Sequence, residues 1–186
     1  MTAEMTAPQW MLVTAEQYDS WSPVQCAGIE MVDGVIVLTP RPSIRHNRIA
    51  RLIAGALDDA GGTEWNADTD FDLRLQDVPL INLRPDVVVY RAVAIDITPA
   101  RPQNVLLVVE VVSPGSETTD RQTKMSQYAK AGIAFYWRVE QSAANVPIIY
   151  TYVLDPAASA YRDSDVHTGR LTMTTPFEVD LDLRAI

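Results

Sequence analysis

Val105-Leu106-Leu107-Val108-Val109-Glu110-Val111-Val112 is an almost unbroken apolar run with one carboxylate inside it. Its length and its β-branched residues predict a central strand covered on both faces. Val87-Val88-Val89-Tyr90 has the same character, with Asp86 at its start behind Pro85. Strands buried on both faces need layers above and below, and helical periodicity occurs on either side of them in the chain. From Ser43, Ile49, Leu52, Ile53, Ala56 and Leu57 recur at the spacing of one buried helix face, which Gly61-Gly62 ends. After the turn Ser113-Pro114-Gly115-Ser116, a helix is expected from about Thr119 to Ala131, stopped by Gly132.

Outward from this centre the remaining elements follow local rules. Thr14 and Gln17 form a capping-box pattern that starts a short helix at Ala15, running towards Trp21, behind a loose tail of residues 1–13. Asp33-Gly34, between Ile29-Glu30-Met31-Val32 and Val35-Ile36-Val37-Leu38, predicts a hairpin. Glu64 to Leu75 alternates in part and reads as one half-exposed strand. Phe135 to Val139 and Ile148 to Leu154 read as further strands, and Tyr161 to Ile186 as an edge strand with a closing segment. The expected fold class is α/β, a mixed sheet flanked by helices with an N-terminal β-hairpin, and residues 14–186 are expected to form one domain.

Composition narrows the function. The 186 residues are 47% hydrophobic and 21% charged, as in a globular chain able to bury about two thirds of its unfolded surface. No apolar run approaches the ~20 residues that span a bilayer. No Lys or Arg precedes Arg41, and Glu4 stands where a secretory signal would be basic, so export is not expected. Cys26 is the lone cysteine, which excludes an internal disulfide or cysteine-based zinc site and suits a reducing cytoplasm. The formal charge of −9 argues against a general nucleic-acid coat, since non-specific binding depends on cations against phosphate. Arg41, Arg45, Arg48 and Arg51 form the best local basic candidate, although on composition alone a solvated helix face accounts for them better.

Glu110 carries the chemical argument. A charge buried in that strand costs several kcal/mol, roughly, unless a metal, a basic side chain or exposure at the strand end compensates it. Asp86, at the start of a neighbouring strand, would bring a second carboxylate beside it. Two such groups repel unless a cation lies between them, and Mg²⁺ suits hard oxygen ligands. Lys124 shares a helix face with Asp120 and Tyr128, each four residues away. It either forms an exposed pair with Asp120 or reaches over the strand ends to hold an attacking water and neutralise charge developing on a phosphoryl group. His46 borders the apolar face of its helix, as a packed histidine or as a site residue. Neither it nor His167 has a serine-acid or metal-ligand pattern that would define an unrelated hydrolase.

Arg84-Pro85-Asp86-Val87-Val88-Val89 and Val109-Glu110-Val111-Val112-Ser113-Pro114, followed by Asp120, Lys124, Tyr128-Ala129, Ala131-Gly132-Ile133 and Tyr136-Trp137, resemble the Uma-type endonucleases. This group, also called domain of unknown function 820, lies in the PD-(D/E)XK restriction-endonuclease-like superfamily. The Ile29 to Gly34 hairpin followed by His46 resembles the same group. The resemblance implies a Mg²⁺-dependent endonuclease, with Mn²⁺ a possible substitute, that hydrolyses DNA phosphodiesters. Asp86 and Glu110 would bind metal, Lys124 would assist the attacking water, and Glu30, His46, Asp120 and Tyr128 would be accessory. The superfamily places its lysine two residues after the acid, where this chain has Val112, so the resemblance transfers that role to Lys124 on the next helix. It also implies a homodimer. A binding or assembly module on the same scaffold is the alternative.

Overall fold

The computed structural model describes residues 12–112, 119–142 and 146–186, with residues 119–122 described through the backbone alone. The chain opens with α1 (Ala15–Asp19), capped as its sequence predicts: Thr14 Oγ1 accepts from the Gln17 N–H at 3.2 Å and Gln17 Oε1 accepts from the Thr14 N–H at 2.9 Å. A single turn, α2 (Pro23–Cys26), leads into the hairpin β1 (Ile29–Val32) and β2 (Val35–Leu38). Asp33 and Gly34 both take left-handed conformations, φ 51° and 78°, as a tight hairpin turn matched to strand twist requires. A Cβ at Gly34 would also stand 2.9 Å from Leu12 Cβ, so the position excludes side chains twice over.

Next comes α3 (Ile44–Gly61), capped by Ser43, whose hydroxyl accepts from the His46 N–H at 3.1 Å. Its buried face is Ile49, Ala50, Ile53, Ala54 and Leu57, rotated slightly from the expected one; Leu52 and Ala56 are only half-buried. The expected single strand from Glu64 to Leu75 is instead two, β3 (Trp65–Asp68) and β4 (Leu73–Gln76), in different sheets. Asp70, at φ 59°, turns the chain between them. A further strand that periodicity did not announce, β5 (Ile81–Leu83), precedes β6 (Val87–Arg91) and β7 (Val105–Val111). Then follow α4 (Thr119–Lys130), β8 (Phe135–Gln141), β9 (Pro147–Asp155), β10 (Ala160–Thr168), β11 (Arg170–Met173) and β12 (Val179–Asp182). The C-terminal segment is thus three strands rather than an edge strand and a closing stretch.

Six strands form the main sheet in the order β10-β9-β8-β7-β6-β3, and β7 and β8 are parallel because α4 carries the chain across between them. Four strands, β2-β1-β5-β4, form a smaller sheet that contains the N-terminal hairpin. The side chains of the central strands alternate between two cores. Val87, Val89 and Val109 face α3 and the β11–β12 hairpin, meeting Ile49, Ile53, Leu57, Leu171 and Val179. Val88 and Val108 face the other way, meeting Leu73 and Leu83 of the smaller sheet and Tyr128 of α4.

The smaller sheet is tied to α1 by a buried charge. Arg74 is only 1% exposed, yet its guanidinium donates to Asn82 Oδ1 at 2.9 Å, to Asp19 Oδ1 at 2.5 Å and to Asp77 Oδ1 at 3.3 Å. Every arm has a partner, which offsets the desolvation a lone buried guanidinium would suffer.

Candidate functional site

The site lies where the smaller sheet, α3 and α4 meet the ends of β6 and β7. Val87 pairs with Val109 across the antiparallel β6–β7 ladder. Extending that register by one residue sets Asp86 opposite Glu110, on the face that Val88 and Val108 share. The two carboxylates are neighbours although 24 positions separate them in the chain.

Asp86 is held by both oxygens. His46 Nε2 lies 2.7 Å from Oδ1, and the Val111 N–H donates to Oδ2 at 2.7 Å. His46 thus reaches the site from the first turns of α3, and its packed character and its site contact are one arrangement. The imidazole is held above its ordinary pKa: burial works against the charged form, but the hydrogen bond to Asp86 and that residue's charge outweigh it.

Glu110 accepts from the Tyr128 hydroxyl at 2.6 Å, and Lys124 Nζ lies 3.5 Å from the same oxygen. Both donors come from one face of α4, one helical turn apart, as their spacing predicts. The nearer partner of Lys124 is Glu30, at 2.7 Å. Glu30 also accepts from the Arg84 N–H at 2.9 Å and is only 2% exposed. As a hairpin carboxylate it would be read as exposed; the Arg84 N–H and Lys124 meet it instead of solvent. Lys124 therefore points inward to two acids from distant strands. The side chain of Asp120 and the turn Ser113 to Ser116 lie outside the described residues. His167 is half-buried on β10, opposite Ile149, and makes no contact with this cluster among the described residues.

The charges gathered here shift the titration of Glu110, Lys124 and Tyr128. Burial, reinforced by the charges of Asp86 and Glu30, pushes Glu110 up to about 7 against the pull of Lys124 and Tyr128. Burial opposes the charge on Lys124, yet Glu110 and Glu30 hold its pKa well above the usual value. Lys124 is consequently a permanent cation and donor, unsuited to act as a base. Burial and the charge of Glu110 likewise keep Tyr128 protonated.

Among the described residues, no three or more His, Cys, Asp or Glu side chains are arranged to hold a metal by themselves. A two-carboxylate site is a different matter. Each Asp86 oxygen spends one lone pair on a donor, and Glu110 Oε2 has no donor among the described residues. The Asp86 and Glu110 side chains are 21% and 15% exposed, so the pair meets solvent. Hard oxygens in that number suit a magnesium-type cation that keeps several waters.

No curated protein matches the chain. Among solved structures, it is similar to the crystal structure of a putative nuclease belonging to DUF820 from Anabaena variabilis, with a TM-score of 0.66 at 14% identity over 92% of this chain and 96% of that one. At that identity the likeness concerns the fold: a large mixed sheet flanked by helices. Over residues 15–184, which include every element that builds the site, the chain matches the family described as Uma2, putative restriction endonuclease, and it belongs to that family.

Proposed function

We propose that the chain is a divalent-metal-dependent endonuclease that hydrolyses DNA phosphodiester bonds at the Asp86–Glu110–Lys124 cluster. The observation that carries this reading is Lys124, set 2.7 Å from Glu30 and 3.5 Å from Glu110, beside an Asp86 held at both oxygens. Membership of the putative restriction endonuclease family supports it, and the putative nuclease that is a structural neighbour shares the fold.

Asp86 and Glu110 would hold Mg²⁺, or Mn²⁺ in its place, which when bound supplies charge stabilisation at the phosphate. The protein's own residues do the rest. In hydrolysis a water oxygen bonds to phosphorus as it releases a proton to solvent, the phosphorus–oxygen bond to the leaving strand breaks and that oxygen takes up a proton from solvent, and negative charge grows on the non-bridging oxygens. Lys124, protonated throughout, donates to the attacking water or to those oxygens as that charge develops. Glu30 keeps the ammonium over the cluster. His46 and the Val111 N–H hold the rotation of the Asp86 carboxylate, and Tyr128 does the same for Glu110. Pre-setting these groups removes the reorganisation that the reaction would otherwise require.

Supercoiled plasmid incubated with the protein and Mg²⁺ or Mn²⁺ tests the reading. Nicked or linear product should appear with the native chain and vanish with Asp86→Ala. Intact plasmid under all metal conditions, or equal cleavage by the variant, would refute it. Val112, standing where the superfamily has its lysine, favours the second reading, a binding module without hydrolysis; DNA binding by a chain that never cuts would establish that one. No helix among the described residues is long and apolar enough to cross a membrane.

A further inference from the structure

The N-terminal half of α3 bears Arg45, Arg48 and Arg51, with Arg41 just before the helix, and Arg41, Arg48 and Arg51 are exposed. Elsewhere the arginines are largely neutralised: Arg74, Arg84, Arg101, Arg170 and Arg184 each pair with an aspartate. Arg41, Arg48 and Arg51 have no acidic partner among the described residues. Within α3 itself no acidic residue lies in reach of the two on the helix. The neighbours of Arg48 at three and four positions are Ile44, Arg45, Arg51 and Leu52; those of Arg51 are Asn47, Arg48, Ala54 and Gly55.

This arrangement works against the helix itself. Arg45, Arg48 and Arg51 are like charges three residues apart. The first turn of α3 contains no acidic residue and has Arg45 in it, the reverse of the charge placement that the helix dipole favours. In a chain of net charge −9, Arg48 and Arg51, with no acidic partner among the described residues, are suited to an external polyanion. The helix that bears the stripe also reaches the candidate site, through His46 at 2.7 Å from Asp86, while Arg48 and Arg51 stand on its opposite, outward face. Arginines three residues apart are ~4.5 Å apart along a helix axis, of the same order as the ~3.4 Å axial spacing of charges on one DNA strand.

We propose that the exposed face of α3 formed by Arg48 and Arg51, with Arg41 at its end, is a docking surface for the phosphate backbone of duplex DNA, reading no sequence. This rests on the reading of the chain as acting on DNA. The surface answers how an acidic protein binds an acidic polymer: a local stripe supplies the attraction while the remaining charge repels mispositioned duplex.

The test measures binding apart from cleavage, by fluorescence anisotropy of labelled duplexes of two unrelated sequences in EDTA over a range of salt. Arg48→Ala/Arg51→Ala should weaken binding to both sequences alike and make the slope of log K against log salt shallower by about 2. Arg48→Lys/Arg51→Lys should restore the slope, which a defect in folding would not allow. Arg162→Ala, on β10, should leave it unchanged. An unaltered slope in the double alanine variant, an equal change in Arg162→Ala, or a stripe that holds anionic phospholipid vesicles instead of duplex would overturn the proposal. Plasmid cleavage separates this from the catalytic reading. A native chain that binds through the stripe but never cuts leaves the surface standing and removes the hydrolysis; a double alanine variant that binds and cuts like the native chain does the opposite.

Discussion

Lys124 Nζ and Glu30 Oε1 stand 2.7 Å apart across 94 residues of sequence, joining the N-terminal hairpin to the helix that crosses from β7 to β8. Because Glu30 is 2% exposed, this contact is made away from bulk water and holds the ammonium where Glu110 also reaches it. The hairpin is therefore part of the site.

Replacing Glu30 tests that statement. Glu30→Ala removes the nearer partner of Lys124 and the acceptor of the Arg84 N–H, so urea unfolding should show a loss of about 2 kcal/mol. Glu30→Gln keeps an acceptor and should lose less. Both should lower the cleavage rate at saturating DNA more than they weaken DNA binding; equal effects on rate and affinity would place Glu30 outside the positioning of Lys124.

Lys124→Met should reduce plasmid cleavage by roughly 10²–10³-fold, the scale for removing one preorganised donor to developing charge. It also leaves Glu30 and Glu110 facing each other without their cation, so its loss of stability should be greater at pH 8 than at pH 5. Lys124→Arg should fall short of full rescue, because a planar fork does not reproduce one ammonium between two carboxylates. Wild-type turnover by Lys124→Met would remove Lys124 from the mechanism.

Glu110 predicts a pH dependence with a definite sign. Unfolded, its carboxyl releases its proton near 4.5; folded, near 7. Between these values the folded chain holds more protons, so this group's contribution to stability falls as pH rises through that window. Glu110→Gln should flatten the decline in melts from pH 4.5 to 7.5. Mn²⁺ added to the native chain should raise the melting temperature more at pH 7.5 than at pH 5, because a bound cation requires the deprotonated carboxylate. A metal effect that is independent of pH, or that persists in Glu110→Gln, would separate the ion from this residue.

The His46–Asp86 contact carries a signature of the same sign. The folded imidazole titrates above its ordinary 6.5, so its stabilisation is complete below that value and is lost as pH rises through the folded pKa. NMR titration should find the midpoint above 6.5, and Asp86→Asn should bring it down. A midpoint unmoved by that substitution would show that the 2.7 Å contact is not the cause.

Much of this protein was legible in local sequence. The capping box at Thr14, the Asp33-Gly34 turn and the apolar periods of α3, β6 and β7 are short-range rules, and they describe α1, the hairpin, the long helix and the central strands. The interruption of an apolar strand by Glu110 singled out the candidate site for an equally local reason, the cost of burying a charge. Local rules failed where tertiary partners decide. Glu64 to Leu75 alternates like one strand, yet the turn at Asp70 divides it between two sheets; β5, only three residues long, gains its identity from β1 and β4 on either side. The burial of Glu30, the reach of His46 to Asp86 and the choice of Glu30 and Glu110 as partners of Lys124 are likewise products of packing. A sequence specifies which residues repeat on one face of a helix or strand, but which distant charge that face meets depends on how the layers close. In this chain the layers close around a lysine.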